Sequence, residues 1–282
     1  MRLIKTETSD GLELDGIYCG PSVSSKAVIV HIHGKCGNFY QNSFIQKMAE
    51  MYPQSGYSFL SMNNRGHDCV AEAYSNGGLV YVGGSLEGFE FSVRDIEAMI
   101  KVATELSGND RVILQGHSFG CDKVVRFIQT RRPYEFILLS PADSRPLIEG
   151  FAGIPIESLA RQLESKAPEL DLTYGSQFYG VRAKNTSYAI PISQYALVDA
   201  LRPGVVDTFS LDSHLGIYDR AVIYVGTRDS LVTVPTGIWI DRLKRMMPRA
   251  TFIVRDGDHH FHGLEEDVVS SVIEWIASSN GE

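Results

Sequence analysis

Residues 111–120 read Arg111-Val112-Ile113-Leu114-Gln115-Gly116-His117-Ser118-Phe119-Gly120, and this stretch decides the fold. A short apolar run ends in Gly-x-Ser-x-Gly, and a helix-like segment follows directly. The order of strand, sharp turn and helix is the one that exposes a nucleophilic serine at the end of a sheet strand. Gly116 and Gly120 provide room, because a Cβ at either position would crowd so tight a turn. The stretch predicts a nucleophile at Ser118 and an oxyanion-binding amide at Phe119.

Strand-like and helix-like segments alternate along most of the chain. Apolar, β-branched runs at residues 27–32, 57–62, 136–140 and 221–225 predict buried strands. Residues 92–106 repeat apolar side chains at three- and four-residue spacing, which predicts an amphipathic helix. Such alternation with short connections predicts the α/β class, with a mostly parallel sheet that helices cover on both faces.

Two regions depart from this alternation. Residues 72–88 are rich in Gly, Ser and Tyr and are interpreted as a long surface loop. Residues 144–219 contain helix-like pieces and no strong strand run, and they hold many aromatic residues. These aromatic residues include Phe151, Tyr174, Phe178, Tyr179, Tyr188 and Tyr195. We interpret residues 144–219 as a cap over the carboxyl edge of a core formed by residues 1–143 and 220–282.

The composition excludes several classes of protein. Over 282 residues, a hydrophobic content of 44% and a charged content of 21% are typical of a soluble globular protein. The net charge of −8 argues against nucleic acid as a partner, since phosphate binding requires clustered Lys and Arg. No apolar run reaches the ~20 residues of a membrane span. No secretory signal is recognisable either, so we expect a cytoplasmic protein that does not enter a membrane.

The cysteines carry no redox or metal pattern. Cys19, Cys36, Cys69 and Cys121 are scattered without Cys-x-x-Cys spacing. We therefore expect free thiols in a reducing compartment. The sequence does not indicate an oligomeric state.

A serine nucleophile requires a base and an acid that orients the base, and both follow in the expected order. Asp229 comes directly after the strand at residues 221–225, in the turn Gly226-Thr227-Arg228-Asp229. His259 follows the last predicted strand, in the segment Gly257-Asp258-His259. An imidazole takes the hydroxyl proton during attack, and a carboxylate on its other nitrogen fixes the tautomer. We therefore predict a catalytic triad of Ser118, His259 and Asp229.

Other residues compete for the same roles. His260 is the alternative base, while His262 is expected near the start of the final helix. The alternative acids are Asp143, Asp256 and Asp258. Asp229 could also be an ordinary turn or helix-capping aspartate. Its place in the chain, between the nucleophile and the histidine, favours the catalytic interpretation.

The oxyanion of a tetrahedral intermediate needs two preorganised donors. The amide of Phe119 is predicted to be the first. The second is expected from the glycine-rich loop His33-Gly34-Lys35-Cys36, where we predict the amide of Lys35, with Cys36 as the alternative. We interpret His33 as a residue that makes a structural hydrogen bond under this loop.

No cofactor or metal is predicted. His259, His260 and His262 lie close together in the sequence and could suggest a metal site. They occupy one loop without a distant carboxylate cluster, which disfavours that interpretation.

Five segments together resemble the α/β-hydrolase superfamily. They are the serine turn at residues 116–120, His33-Gly34, Asn64-Arg65-Gly66-His67, the turn that ends at Asp229 and the segment that ends at His259. The resemblance covers nearly the whole chain outside the expected cap. It implies an eight-stranded, mostly parallel sheet, a lid between the sixth and seventh strands and a Ser-Asp-His triad.

One loop resembles a smaller branch of this superfamily, and one turn departs from the superfamily's usual sequence. Gly37-Asn38-Phe39-Tyr40-x-Asn42 is similar to the loop of a small branch that includes fungal siderophore esterases. The departure is at residues 63–68, which read Asn-Asn-Arg-Gly-His-Asp where many family members carry Asp-x-Arg-Gly-x-Gly. We interpret this site as structural, with Arg65 holding a loop.

The predicted function is that of a serine hydrolase that cleaves a small-molecule carboxylic ester through an acyl-enzyme. The superfamily also includes thioesterases, amidases, C–C hydrolases and lyases. A thioesterase or amidase that acts on a peptide or polyketide product is the alternative among enzymes. A non-catalytic ligand receptor, or a scaffold that binds through the cap, is the alternative outside them. The presence of Ser118, Asp229 and His259 argues against a pure receptor.

Overall fold

The structure of the 282-residue chain is a computed structural model. It describes residues 1–131, 134–152, 154–164, 178–181, 190–202, 204–205, 207–209 and 220–278. Tyr174 and Tyr188, two aromatic residues of the expected cap, lie outside the described residues.

The described residues contain the strands of one large sheet and of two small ones. In chain order the strands are β1 (Arg2–Glu7), β2 (Glu13–Cys19), β3 (Val28–Ile32), β4 (Ser58–Met62), β5 (Ala71–Ser75), β6 (Gly78–Val82), β7 (Val112–His117), β8 (Glu135–Leu139), β9 (Phe178–Val181), β10 (Ile190–Ser193), β11 (Ala221–Gly226) and β12 (Thr251–Arg255). The large sheet has 8 strands in the order β1-β2-β4-β3-β7-β8-β11-β12. β2 pairs antiparallel with β1 and β4, and all other neighbours are parallel. The predicted, mostly parallel sheet is confirmed.

Helices cover both faces of this sheet. The α-helices of the described residues are α1 (Ser43–Gln54), α2 (Ser92–Ser107), α3 (Phe119–Thr130), α4 (Ser144–Ala152), α5 (Ile156–Glu164), α6 (Gln194–Ala200), α7 (Thr236–Met246) and α8 (Glu265–Ser278). Side chains of α2, α3 and α7 share one buried cluster with Leu114 of β7. Those of α1 and α8 share another with Ile113, the preceding residue of the same strand. Successive strand residues point to opposite faces, so the two clusters lie on opposite sides of the sheet.

The expectation of a surface loop is wrong for residues 72–82. Strands β5 and β6 pair antiparallel there as a hairpin. Its turn consists of Asn76, with φ 50°, and Gly77, with φ 77°. A tight hairpin turn of this kind requires positive φ at both positions, and Asn-Gly between alternating segments is a strong signal for it. The surrounding Gly and Ser residues, which are typical of a loop, conceal this hairpin signal in the sequence.

The expected cap, residues 144–219, lies between β8 and β11, the sixth and seventh strands of the large sheet in chain order. Its described parts are α4, α5, α6 and the antiparallel pair β9–β10. These two strands are 4 residues long each, and β9 contains a glycine while β10 contains a proline. Such short segments show too little alternation of apolar and polar residues to be predicted from the sequence. This region contacts the rest of the chain where Ser193 N–H donates to the Ser85 carbonyl at 2.8 Å. The division into core and cap stays a prediction.

Ser118 occupies the turn between β7 and α3. Its backbone has φ 55° and ψ −128°. Positive φ in a residue with a side chain costs on the order of 1–3 kcal/mol, so neighbouring contacts must hold the turn. The Ser118 N–H donates to the Leu139 carbonyl at 3.0 Å, and its own carbonyl accepts from the Cys121 N–H at 2.8 Å. The predicted sharp turn between strand and helix is present.

Three glycines allow the chain to pack closely around this turn. A Cβ on Gly120 would lie 2.1 Å from the carbonyl oxygen of Ile32 in β3, and a Cβ on Gly116 would lie 2.5 Å from the Gly120 carbonyl oxygen. A Cβ on Gly34 would lie 2.8 Å from the Cβ of Ser118. Each distance is shorter than real Cβ contacts, so the predicted steric role of Gly116 and Gly120 is confirmed.

We expect Gly120→Ala to lower the free energy of unfolding by about 1–3 kcal/mol, because the new methyl group would press on the backbone of β3. Gly237→Ala is the matched control, since a Cβ there would have no heavy atom within 4 Å. Alanine inside α7 should leave stability unchanged or raise it by about 1 kcal/mol. Urea unfolding measures both variants, and equal stabilities would contradict the close packing at Gly120.

A buried polar trio lies between β3, β7 and α1. The Tyr52 hydroxyl donates to Gln115 Oε1 at 2.8 Å, and Gln115 Nε2 donates to His31 Nδ1 at 2.9 Å. The His31 ring also contacts the rings of Phe44 and Phe59. Burial lowers the pKa of His31 to about 3, so the folded protein keeps this imidazole neutral.

This lowered pKa predicts a loss of stability in acid. As the pH falls from 6.5, the ordinary pKa of histidine, toward about 3, the unfolded chain takes up a proton that the folded ring does not. We expect His31→Phe to reduce the pH dependence of the unfolding free energy in this window by up to about 1.4 kcal/mol per pH unit. Denaturant titrations at successive pH values measure the slope, and equal slopes for both proteins would contradict the prediction.

Candidate active site

The predicted nucleophile lies at the carboxyl end of β7. Ser118 is half-buried, and Phe119 is the first residue of α3. The first amides of a helix have no acceptor within that helix, and they lie at the positive end of its dipole. The Phe119 N–H can therefore donate to an oxygen that is bound at Ser118.

The structure brings the predicted base and acid together. His259 Nδ1 lies 2.8 Å from Oδ2 and 2.9 Å from Oδ1 of Asp229. The two side chains are 7% and 1% exposed, respectively, so water does not compete for this bond. A carboxylate that accepts from Nδ1 selects the tautomer whose Nε2 lone pair is free. The pair can therefore act as an oriented general base.

The loops that carry this pair are joined to each other. The Arg228 N–H donates to the Gly257 carbonyl at 2.9 Å, and the Arg228 guanidinium binds Asp256 at 2.8 Å. A Cβ on Gly226 would lie 2.4 Å from the Gly257 carbonyl oxygen. Glycine at position 226 therefore permits the close approach that sets the spacing of the acid and the base.

The alternative acids have other partners. Both carboxylate oxygens of Asp143 accept from Arg242 at 2.9 Å. Asp256 is exposed and pairs with Arg228, as described above. Asp258 accepts from the backbone N–H groups of His260 and His262 at 3.0 and 3.1 Å. The carboxylate that contacts His259 is that of Asp229.

His260, the alternative base, and His262 lie at the surface. His260 and His262 are both exposed. The His262 ring is bound through Nδ1 to Asp258 at 2.8 Å. Of the three histidines in this loop, only His259 is buried against the acid that the sequence predicts.

His117, the residue before the serine, was not singled out from the sequence. Its Nε2 donates to the His259 carbonyl at 2.9 Å. Burial, together with the neighbouring His259, lowers the pKa of His117 well below its usual value, so this ring is neutral. His117 thus joins the serine turn to the loop that carries the base. The middle positions of Gly-x-Ser-x-Gly accept any residue, so the motif itself carries no signal for this role.

Ser118 is connected to His259 through the preceding residue, His117, which is hydrogen-bonded to the His259 backbone. Among the described residues, no hydrogen bond joins the Ser118 hydroxyl to the His259 ring. In unliganded enzymes such catalytic hydrogen bonds are often long and become shorter when substrate binds. The structure thus pairs the predicted acid with the predicted base, and His117 connects the base to the turn that carries Ser118.

The predicted oxyanion loop lies directly against Ser118. A Cβ on Gly34 would be 3.3 Å from Ser118 Oγ, and Lys35 and Cys36 follow it as half-buried residues. Cys36 has φ 54°, so the backbone bends sharply there. The roles of the Lys35 and Cys36 amides stay predictions.

His33 supports this loop from below. Its Nδ1 donates to the Gly34 carbonyl at 2.8 Å, and its Nε2 accepts from the Asn64 N–H at 3.0 Å. Burial, together with the charge of Lys123, lowers the pKa of His33 to about 3. Both ring nitrogens are occupied by backbone groups, in agreement with the structural role that the sequence predicts.

Arg65 also holds a loop, as predicted. Its guanidinium donates to both carboxylate oxygens of Asp95 at 2.7 to 3.1 Å and to Asp10 at 3.1 Å. These bonds fasten the turn after β4 to α2 and to the N-terminal hairpin. The departure from the family pattern in this turn leaves the Arg65 contacts intact.

The described residues also bear on metal binding, membrane insertion and thiol pairing. Among the described residues, no group of three or more His, Cys, Asp or Glu side chains is arranged to hold a metal ion. Within the same part of the chain, no helix has both the length and the apolar character that a bilayer crossing requires. Cys19, Cys36, Cys69 and Cys121 are free thiols.

A known protein family matches this chain in sequence, and several solved structures share its fold. Residues 23–201 match the family described as serine aminopeptidase, S33. No curated protein matches the chain in sequence. Est1E from Butyrivibrio proteoclasticus has a similar structure, with 17% identity over 100% of both chains and a TM-score of 0.65.

Two further solved structures are similar over almost their whole length. Siderophore hydrolase EstB from Aspergillus fumigatus is 15% identical, over 99% of this chain and 97% of its own, with a TM-score of 0.65. Alpha/beta hydrolase domain-containing protein 10 from mouse is 16% identical, over 99% of both chains, with a TM-score of 0.67.

At such identities the structural similarity establishes the fold, and the family match covers more than half of the chain. The expected resemblance to α/β-hydrolases is therefore confirmed. The chain belongs to the family described as serine aminopeptidase, S33, within the α/β-hydrolase superfamily.

Proposed function

We propose that this protein is a serine hydrolase that cleaves a small-molecule carboxylic ester through an acyl-enzyme intermediate. The observation that carries the proposal is the buried pair of His259 and Asp229, with Nδ1 2.8 Å from the carboxylate. His117 holds this pair beside the serine turn. The family and the fold support hydrolysis as the reaction class.

In the proposed reaction, Ser118 Oγ attacks the ester carbonyl carbon while its proton passes to His259 Nε2. The Asp229 carboxylate stabilises the imidazolium that forms. The tetrahedral oxyanion accepts hydrogen bonds from the amides of Phe119 and Lys35. Collapse of the intermediate expels the alcohol, which takes the proton from His259, and leaves the acyl group on the serine. A water molecule that His259 deprotonates then releases the carboxylic acid and restores the serine hydroxyl.

Two likenesses support a small-molecule acyl substrate, among which we prefer an ester. Est1E has been solved with ferulic acid bound, and EstB is a siderophore hydrolase. The loop at residues 37–42 is similar in sequence to that of fungal siderophore esterases. These likenesses favour small-molecule acyl substrates.

Cleavage of an amide is the second candidate, because the family is described as an aminopeptidase. The same residues would serve, with an amine in place of the alcohol as the group that His259 protonates. A thioester in a peptide or polyketide product would react by the same route. Parallel measurement on ester, thioester and amide panels decides among the three.

We expect Ser118→Ala to fold normally and to lose both turnover and labelling by a fluorophosphonate probe. The alanine lacks the oxygen that forms the acyl-enzyme, while its small side chain fits the same turn. Product formation and probe labelling measure the loss, and thermal unfolding shows that the fold persists. Full activity in this variant would refute the serine mechanism.

We expect Asp229→Asn to lower kcat by about three to four orders of magnitude, because an amide at this position favours the wrong tautomer of His259. Asp15→Asn is the matched control, since Asp15 is exposed and pairs only with Lys5 at the surface among the described residues. That variant should keep a kcat close to that of the unmodified protein. Steady-state kinetics on the best ester measures both, and equal losses in the two variants would count against Asp229 as the orienting acid.

A further inference from the structure

An ionic cluster of Lys35, Glu87 and Lys123 lies next to the predicted oxyanion loop and has no part in the steps above. Glu87 Oε2 accepts from Lys123 Nζ at 2.7 Å, and Oε1 accepts from Lys35 Nζ at 3.2 Å. The side chains of Lys123 and Glu87 are 0% and 1% exposed, and that of Lys35 is 20% exposed. Two ammonium groups share one carboxylate, so the cluster carries a net positive charge.

The carboxylate stays ionised although it is buried. Burial by itself would raise the pKa of Glu87, but the charges of Lys123 and Lys35 and their hydrogen bonds outweigh it and hold the pKa at about 2. The Glu87 carboxylate is therefore ionised at neutral pH, and each of its two oxygens accepts a hydrogen bond from a different lysine.

The cluster reaches the oxyanion loop by two routes. The direct route is the side chain of Lys35, whose amide is the predicted donor. The indirect route begins where Lys123 Nζ donates to Asn64 Oδ1 at 3.0 Å, and it continues where the Asn64 N–H donates to His33 Nε2 at 3.0 Å. His33 Nδ1 then donates to the Gly34 carbonyl at 2.8 Å. Both routes end on consecutive residues of the loop that lies against the nucleophile.

The cluster also contacts the residue that carries the other predicted donor. The Phe119 ring centroid lies 5.5 Å from Lys123 Nζ and 5.4 Å from Lys35 Nζ. Lys123 belongs to α3, the helix that starts at Phe119. One charged cluster thus connects the helix that carries one amide with the loop that carries the other.

Stability alone gives little reason for such a cluster. Buried ion pairs lose hydration that offsets much of their attraction, and apolar side chains of similar volume often replace them without loss of stability. The placement between the two predicted oxyanion donors points to a role in the reaction instead.

We propose that Glu87 and Lys123 are positioning residues that hold the oxyanion hole in shape, acting through Lys35, Asn64 and His33; this inference rests on the proposed function. Negative charge develops on the carbonyl oxygen only as the serine attacks. Donors that are already fixed, next to a net positive charge, stabilise that charge without reorganisation. The neutral ester gains much less from them, so their loss should lower kcat more than it changes KM.

Two variants and one control test this role. The double variant Glu87→Met/Lys123→Met replaces both buried partners with apolar side chains, so that the one charge left in the cluster is that of Lys35, whose side chain is partly exposed. Lys35→Met keeps the backbone amide and removes only the partly exposed side chain. The control is Lys47→Met, because Lys47 Nζ also lies 2.7 Å from a carboxylate, that of Glu266, but at the surface.

We expect kcat on the best ester to fall about tenfold or more in both test variants, with KM within about threefold of the original value. Thermal unfolding of the double variant should stay close to that of the original protein, and the control should keep its kcat. A cluster that acted on stability alone would instead leave kcat unchanged in the folded double variant, whatever its effect on thermal unfolding.

An unchanged kcat in either folded test variant would overturn the proposal. If the double variant does not fold, Lys35→Met decides alone: a lower kcat with a similar KM supports the positioning role, and an unchanged kcat overturns it. Failure of the proposed function looks different, because the unmodified protein would then show no turnover that depends on Ser118. In that case the positioning role falls with the function on which it rests.

Discussion

Three backbone segments approach one another around Ser118 more closely than side chains would allow, and the rest of the site depends on that approach. Cβ atoms on Gly120, Gly116 and Gly34 would lie 2.1, 2.5 and 2.8 Å from their nearest neighbours, so glycine is required at each position. The close packing holds the serine at φ 55°, a conformation that it would not adopt in an open chain. As a result, Ser118 lies at the end of β7 where α3 begins, and the loop after β3 lies against its side chain.

A similar close approach of two backbone segments sets Asp229 beside His259. Gly226 comes so close to Gly257 that the two loops share a backbone hydrogen bond between Arg228 and Gly257 at 2.9 Å. The parallel strands β11 and β12 deliver both loops to the same edge of the sheet, and backbone contacts then fix their spacing. The orientation of the base depends on this spacing, and His117 connects it to the serine turn.

Burial and pairing together decide which groups around the site are charged. Among the described residues, no carboxylate is hydrogen-bonded to the buried rings of His31, His33 and His117, and burial lowers the pKa of each. Glu87 is buried just as deeply, yet its pKa is held at about 2 because two lysines bind it. The neutral rings can therefore hold the loops through hydrogen bonds at their ring nitrogens.

The amino-acid sequence by itself determined the α/β class, most of the large sheet and the order Ser118, Asp229, His259, because strand periodicity, glycine turns and chain order are local properties. It also contained the Asn76-Gly77 hairpin signal, which the surrounding composition concealed. Only the tertiary structure decided that His259, rather than His260, meets Asp229, since neighbouring residues of one loop differ only in the direction of their side chains. The link between Glu87 and Lys123, which are 36 residues apart, was equally invisible in the sequence. Lysine and glutamate are usually solvated surface residues, whereas the folded chain removes these two from water where α3 meets the loop after β6.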